Sequence, residues 1–510
     1  MSNDSRGVET APTTTVAAAE PDPRRWWSLA VLAMAQLMIV LDASVVIVAL
    51  PSAQKALHIS TADRQWVVSA YTLAFGSLLL LGGRIADYLG RRRMFVIGLI
   101  GFGLSSALGG LAQNAAMLFG ARALQGAFGA IMAPAALSLL TTTFTEVQER
   151  ARAFGVYGAI AGGGAAIGLV LGGTLTQLAS WRWTLLINVP IAIITAVAAI
   201  RVIHESRVTE RGGYDIPGAA SVTAGLFFLV YGFTTAGTDG WGAALTVGLL
   251  AAAAACLVTF VAVELRSTHP LLPMRVILDR NRVGSFLASL LVGSALLGTF
   301  LFLTYFLQET LGYSALKTGF AFLPFSGGII LGAGLASRLL PRTGPRALMV
   351  GGMLMATGGL FWFTGLSVTS TYLAHVLPPE VLVSIGMGLA FVPMSSTALV
   401  GVDPGHAGVA SALVNATQQV GGSLGTALLN TVAASAAATY LTAHLHAKLA
   451  LQRAAVHGYT TAFTVSAFLL AAAAVVAFAL IRASRNQLQP ETALGDTDLL
   501  RPTVVECVAS

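Results

Sequence analysis

Along most of this chain apolar residues follow one another without the alternation of a half-buried strand and without the polar face of a surface helix. The runs fall at 27–50, 65–84, 94–113, 116–140, 152–178, 183–203, 216–236, 243–264, 283–307, 316–337, 346–367, 378–401, 407–436 and 459–482. Each is close to the roughly 20 residues that a helix needs to cross a bilayer core. In lipid only helices and closed barrels satisfy their backbone, and runs of this length without period-2 alternation predict helices. The pattern therefore predicts an all-α integral membrane protein with fourteen transmembrane helices. Composition agrees. The chain is 55% hydrophobic and only 10% charged, where a soluble domain carries about 25% charged residues. Its 55 glycines suit helices that approach one another closely in a membrane.

The polar stretches say how the helices are threaded. Residues 1–25 are polar, with no short apolar core and no small-residue cleavage site, which argues against a removed signal peptide. If both termini are cytoplasmic, 22 of the 29 Lys and Arg residues lie on the cytoplasmic side and six on the other. Arg122 alone lies within a span. That bias is the positive-inside signature. It also accounts for the net charge of +7 without a nucleic-acid partner. The chain then divides into a disordered cytoplasmic tail (1–25), a six-helix bundle (26–203), two inserted helices with cytoplasmic linkers (204–282), a second six-helix bundle (283–482) and a cytoplasmic tail (483–510). A short internal repeat supports the two bundles: LGGRIADYLGRRRM (81–94) and LGAGLASRLLPRTGPRALM (331–349) are both glycine-rich helix ends running into basic turns. Duplicated six-helix halves are a transporter architecture, with the binding site between them near the midplane.

Candidate chemistry is sparse and therefore easy to locate. Asp42 is the only ionisable residue between Trp26 and Gln54, about 12 Å below the far end of its helix at 1.5 Å per residue. An ionised carboxylate in that setting costs about 2.5–3.5 kcal/mol. One role is a proton-coupling acid facing a cavity; the alternative is a buried acid that caps a kink or satisfies a neighbouring hydroxyl such as Ser44. Arg122, in LFGARALQGAFGA (118–130), is the other charge inside a span. A guanidinium stays protonated, so it must be paired or hydrated. It is either a modulator of proton affinity or a structural pair, and the sequence does not show whether it meets Asp42. In GRIADYLGRRRM (83–94) the basic run alone is a topological anchor, but Asp87 does nothing for insertion. It can sit against the positive N-terminus of a helix and hold one conformation. Gly164, Gly168 and Gly172 recur at four-residue spacing, followed by Gly173, and Gly328 and Gly332 share the spacing. Such stripes let helices pack tightly or slide. The three lysines (55, 317 and 448) belong to no phosphate-binding loop. There is no nucleophile–base constellation, so an enzyme is not predicted, nor is a cofactor. His444 and His446, in the predicted loop 437–458, are read as solvated loop residues, with no metal site. Cys256 and Cys507 do not predict a disulfide.

Taken together these segments resemble the major facilitator superfamily, and within it the fourteen-helix branch of drug:proton antiporters, over roughly residues 26–482. Gly83-x-x-x-Asp87-x-x-Gly90-Arg91-Arg92 resembles the family's loop 2–3 gating motif, and Arg122-x-x-Gln125-Gly126 its helix 4 proton-coupling motif. Gly164-x-x-x-Gly168-Leu169-x-x-Gly172-Gly173 is similar to the helix 5 antiporter motif, and LDASVVIVALP (41–51) to the branch's helix 1 motif with Asp42 in the acidic place. WRWTLLINVP (181–190), LGYSALKTGFAFLP (311–324) and GVASALVNATQQVGGSLGTALL (408–429) are further branch-like segments. The resemblance implies alternating access by rocking of two bundles, with Asp87 docking near Gly405–Gly408 in the outward-open state. It implies proton-driven export of amphipathic small molecules such as antibiotics by a monomer in a bacterial plasma (inner) membrane. Gln36, Tyr71, Tyr305, Asn415 and Gln419 are candidate cavity residues by helix and polarity, with core packing as the alternative for each. Arginine outnumbers lysine 26 to 3, which fits a GC-rich, actinomycete-like genome. A proton-coupled importer of the same fold and a non-transporting membrane scaffold or sensor remain open. The scaffold predicts that Asp42 and Arg122 can be neutralised with little effect beyond stability.

Overall fold

The computed structural model describes residues 23–61, 63–144, 146–206, 216–267, 278–402, 407–444 and 449–483. Helices follow the apolar runs, and no strand occurs among the described residues. They are α1 (Arg25–Ala56), α2 (Trp66–Leu89), α3 (Arg91–Gly110), α4 (Ala115–Thr143), α5 (Val147–Leu178), α6 (Trp183–Val202) and α7 (Ile216–Asp239). The series continues with α8 (Ala244–Arg266), α9 (Arg280–Thr310), α10 (Ala315–Thr343), α11 (Pro345–Phe363), α12 (Tyr372–Ala398), α13 (Ala407–Ala443) and α14 (Ala450–Leu480). Twelve of these are long and apolar enough to cross a membrane. The segments Trp66–Leu79 and Leu81–Leu89 of α2, bent by 54°, make a thirteenth if they form one span. In α5 the described apolar stretch is Gly164–Leu178.

Local chemistry sets the helix ends. Asn114 caps α4 by accepting from the Met117 amide at 2.9 Å, Asp279 caps α9 through the amides of Asn281 and Arg282, and Ser314 caps α10 through that of Lys317. These are the side chains that satisfy the free N–H groups of a first turn. The turns α2–α3 and α10–α11 each pivot on a glycine in the left-handed region, Gly90 (φ 110°) and Gly344 (φ 77°). Only glycine adopts that backbone without strain, so the repeat seen in the sequence is a repeated turn. The predicted loop 437–458 is largely helical, because α13 runs on to Ala443 and α14 starts at Ala450. The alanine-rich composition of both ends favours helix once they leave the apolar layer.

The same packing scheme occurs twice. α1 packs on α4, α5 and α6, α2 on α4, and α3 on α4 and α6; α9 packs on α12, α13 and α14, α10 on α12, and α11 on α12 and α14. Between the two sets, α2 meets α13 and α5 meets α10, contacts that the same correspondence exchanges. α7 rests on α2, α13 and α8. Many large apolar side chains face outward, such as Leu104, Ile194, Val258 and Val475. In water such a surface would associate; in a bilayer it matches its solvent.

Candidate functional site

The charges that stand out in the sequence meet in the interior. Asp42 of α1 is fully buried and Arg122 of α4 is 2% exposed. Arg122 Nη1 donates to Asp42 Oδ2 at 2.6 Å and to Gln125 Oε1 at 2.6 Å, and its Nε donates to the Val67 carbonyl of α2 at 3.0 Å. Gln125 Nε2 donates to Asp42 Oδ1 at 2.7 Å and to Ser106 Oγ of α3 at 3.1 Å. Asn188 of α6 donates to the same two acceptors, at 2.9 and 3.0 Å. The Ser106 hydroxyl donates to the Leu185 carbonyl at 2.7 Å. The face of Tyr71 lies under the guanidinium at 4.4 Å, and its hydroxyl has no hydrogen-bond partner among the described residues. Five helices of the first set thus share one polar knot. Ser44 takes no part, since its hydroxyl donates to the carbonyls of Val40 and Leu41.

The chemistry of the knot follows from its donor count. Asp42 accepts from Arg122 on one oxygen and from Gln125 and Asn188 on the other. A proton arriving on Asp42 leaves the carboxyl neutral, so the bond from Arg122 loses its charge assistance and a buried guanidinium is left without its counter-charge. Removing one member of a buried ion pair costs about 3–5 kcal/mol, because the other charge is left without a partner. Proton binding and helix packing are therefore tied together. Asn188 and Ser106 are members that charge-based sequence reading passes over; Asn188 lies inside the quoted WRWTLLINVP.

A second polar group bridges the two sets at the end of the molecule that carries the α1–α2 turn, here the Arg64 end. Arg64 is 5% exposed and reaches into the second set. Its Nε donates to Asn430 Oδ1 of α13 at 3.2 Å, and its guanidinium lies 4.1 Å from the Tyr305 ring and 5.7 Å from the Phe302 ring. Around it Tyr305 donates to Gln54, Gln308 to the Val48 carbonyl at 2.9 Å, and the Leu316 amide to Gln177 at 3.2 Å. Tyr305 therefore sits in the seam between the sets.

The sequence profile described as Major Facilitator Superfamily matches residues 32–426. The chain belongs to that superfamily. Among curated relatives, it is 49% identical over 499 residues to the puromycin resistance protein pur8 of Streptomyces alboniger, covering 97% of this chain and 99% of that one. It is 42% identical over 412 residues to the cephamycin export protein CmcT of Amycolatopsis lactamdurans, covering 80% and 85%. A solved bacterial homologue of the human lysosomal transporter Spinster, inward-facing and unoccupied, superposes with a TM-score of 0.62 at 17% identity, covering 92% of this chain and 98% of that one. This major facilitator protein is thus a multi-pass transporter of the bacterial plasma membrane, not an enzyme, and its relatives are antibiotic resistance and export proteins of actinomycetes.

The remaining motif residues of this superfamily member take specific places. Asp87 accepts from Arg91 Nε at 2.8 Å. Glu205, beyond α6, accepts from the amides of Arg92 and Arg93 at 3.0 and 3.2 Å and packs where a Cβ on Gly90 would fall. The expected partner of Asp87 near Gly405 lies outside the described residues, as does His446. Gly83 faces Pro134 and Gly126 abuts the Tyr71 carbonyl, so both serve the α2–α4 contact. The helix 5 stripe is a close-packing surface. Gly164, Gly168 and Gly172 meet α1 of their own set, at Val40, Ser44 and Val45, and Gly328 and Gly332 meet α12. Gly173 lies against Ala315 and Leu316 of the other set. Four-residue spacing marks a close approach without naming the partner. Gln36 accepts from Tyr157 at 2.7 Å, Gln419 is half-buried beside Gly76, and Asn415 is exposed.

Proposed function

We propose that this protein is a proton-coupled antiporter that exports amphipathic small molecules of the antibiotic kind named for its relatives. It crosses the membrane fourteen times with both termini in the cytoplasm, and residues 26–203 and 283–482 rock as two bundles around a site between them. The single observation that carries the proposal is the Asp42 knot: a buried carboxylate that ties α1 to α4 and α6 and pairs with Arg122, so that a proton on it weakens the contact between those helices. A proton arriving from outside loosens Arg122 from Asp42 while Arg122 keeps Val67 and Gln125. Proton and substrate then favour opposite conformations, which is what exchange requires. The lysine and arginine bias supports placing the Arg64 end outside. Bonds across the seam at that end support an inward-facing arrangement here. Asp87 and Arg91, at the opposite end, form the cytoplasmic half of the gate. Export rather than import rests on the names of the relatives, one of them a cephamycin export protein.

The test uses inside-out vesicles energised by respiration, with a fluorescent cationic dye and puromycin as probes. Wild type should accumulate both, and Asp42→Asn at matched expression should accumulate neither. Accumulation by the mutant would move the coupling proton to another acid. Accumulation only in right-side-out vesicles would reverse the direction.

A further inference from the structure

The second helix set has its own buried acid, which the Asp42 knot does not use. Glu380 lies near the start of α12 at the Arg64 end and is 1% exposed. Its Oε2 lies 3.3 Å from the Tyr372 hydroxyl, and its Oε1 has no hydrogen-bond partner. Among the described residues no cation lies within ion-pair distance of it. On its own helix the other titratable groups are Tyr372 and His375, and His375 faces Thr371. From α10 come Lys317, whose Nζ lies over the ring of Tyr313 at 3.7 Å, and Arg338 and Arg342 at the opposite end. From α9 come Tyr305 and Glu309, engaged with Gln54 and Tyr459, and Arg280 and Arg282 at the opposite end. α11 brings Arg346, beside Phe478, and α13 brings Tyr440 and His444, which stack on each other.

The hydrogens around Glu380 can be placed by elimination. The Tyr372 hydroxyl has one proton and two oxygen neighbours, the Ala321 carbonyl at 2.7 Å and Glu380 Oε2 at 3.3 Å. A carbonyl can only accept. The shorter contact therefore takes the tyrosine proton, and the tyrosine oxygen turns a lone pair toward Glu380. An ionised carboxylate there would face the tyrosine oxygen acceptor to acceptor, with Oε1 buried and without a partner and only the Phe325 backbone amide to serve the charge, a costly state with no compensating cation among the described residues. A neutral carboxyl can instead donate to the tyrosine oxygen. The chain Glu380 O–H to Tyr372 O–H to Ala321 O=C then has one proton for each link.

We propose that Glu380 is a second proton-binding site, in the second bundle, loaded in this conformation and donating to the Tyr372 hydroxyl. Loading adds one proton from the outer water to the carboxylate and breaks no other bond. Unloading returns the carboxylate, which is met by the Phe325 backbone amide that faces the same group at the break in α10. The transport consequence rests on the antiport reading above: each half then carries one acid, Asp42 in the first and Glu380 in the second, and a full cycle moves a proton through each.

Infrared spectroscopy of the full chain purified in detergent tests the site independently of transport. At neutral pH the wild type should show a protonated-carboxyl stretch that Glu380→Gln lacks and Asp42→Asn retains. In Tyr372→Phe, which removes the acceptor, the stretch should move to higher frequency. Either shift carries the proposal if the other variant fails to fold. A band that survives in Glu380→Gln, or a wild type without any such band, overturns it. A second arm reads proton release on adding puromycin in weak buffer, expecting fewer protons per bound puromycin in Glu380→Gln. Equal release by the two proteins overturns the coupling role. A wild type that shows the band but neither releases protons nor transports puromycin would sink the antiport reading and leave the proton site standing.

Discussion

At the scale of single residues, the interior of the first bundle depends on a shared hydrogen-bond network around one carboxylate. Asn188 is its least conspicuous member and makes a sharp test. Asn188→Ala removes one donor from Asp42 and one from Ser106. Gln125 still serves both acceptors, so the loss is that of the two bonds themselves, about 0.5–1.5 kcal/mol for the neutral one and about 1.5–3 kcal/mol for the one to a charged group, and the thermal unfolding midpoint in detergent should fall. Asn188→Asp should lower it further, because it sets a second carboxylate against Asp42. A midpoint unchanged in both variants would show that Asn188 is a bystander. Asp42 and Arg122 were legible because a charge within an apolar run is conspicuous. Asn188 and Ser106 were not, since uncharged polar side chains scattered in such runs commonly bond their own helix, as Ser44 does. Glu380 was hidden by its position, third in the run 378–401 behind two prolines, where a polar residue reads as the edge of the membrane.

At the scale of helices, glycine decides which backbones touch. Most run boundaries were readable from the apolar pattern, but not at 437–458, where α13 and α14 continue beyond the apolar layer. The partners were not, because spacing specifies a smooth face and says nothing of what fills it. The contact of α5 with α1 gives a clear contrast with an open face of α10. A Cβ on Gly172 would lie 2.7 Å from the Val45 Cα, whereas one on Gly327 meets nothing within 4 Å. Gly172→Val must push α5 off α1, an overpacking cost of about 1–3 kcal/mol. Gly327→Ala should be neutral or stabilising by about 0.5–1 kcal/mol, because a glycine inside a helix costs backbone entropy. Thermal midpoints of the two variants at matched expression check this ordering. Equal midpoints would mean that the helix 5 stripe is not a packing surface.

At the scale of the molecule, the sequence carried the duplication but not the conformation. Two glycine-pivoted turns, at Gly90 and Gly344, marked the repeat, whereas the seam between the sets is built from residues that no local pattern joins, such as Arg64 with Asn430, 366 positions apart. Arg64 is the natural lock of that seam, because it is a buried cation held by an amide oxygen and two aromatic faces rather than by a carboxylate within ion-pair distance. Cation–π contacts of desolvated groups contribute about 2 kcal/mol, enough to shift a two-state equilibrium by more than tenfold. Arg64→Ala should therefore favour opening at the Arg64 end. Spin labels at Leu178→Cys on α5 and Leu451→Cys on α14, both more than 70% exposed, read the width of that end once Cys256 and Cys507 are replaced. A longer or doubled distance distribution in Arg64→Ala is the expected result. A distribution identical to that of the parent protein would mean that the α5–α10 contact at Gly173 closes the end without help from Arg64.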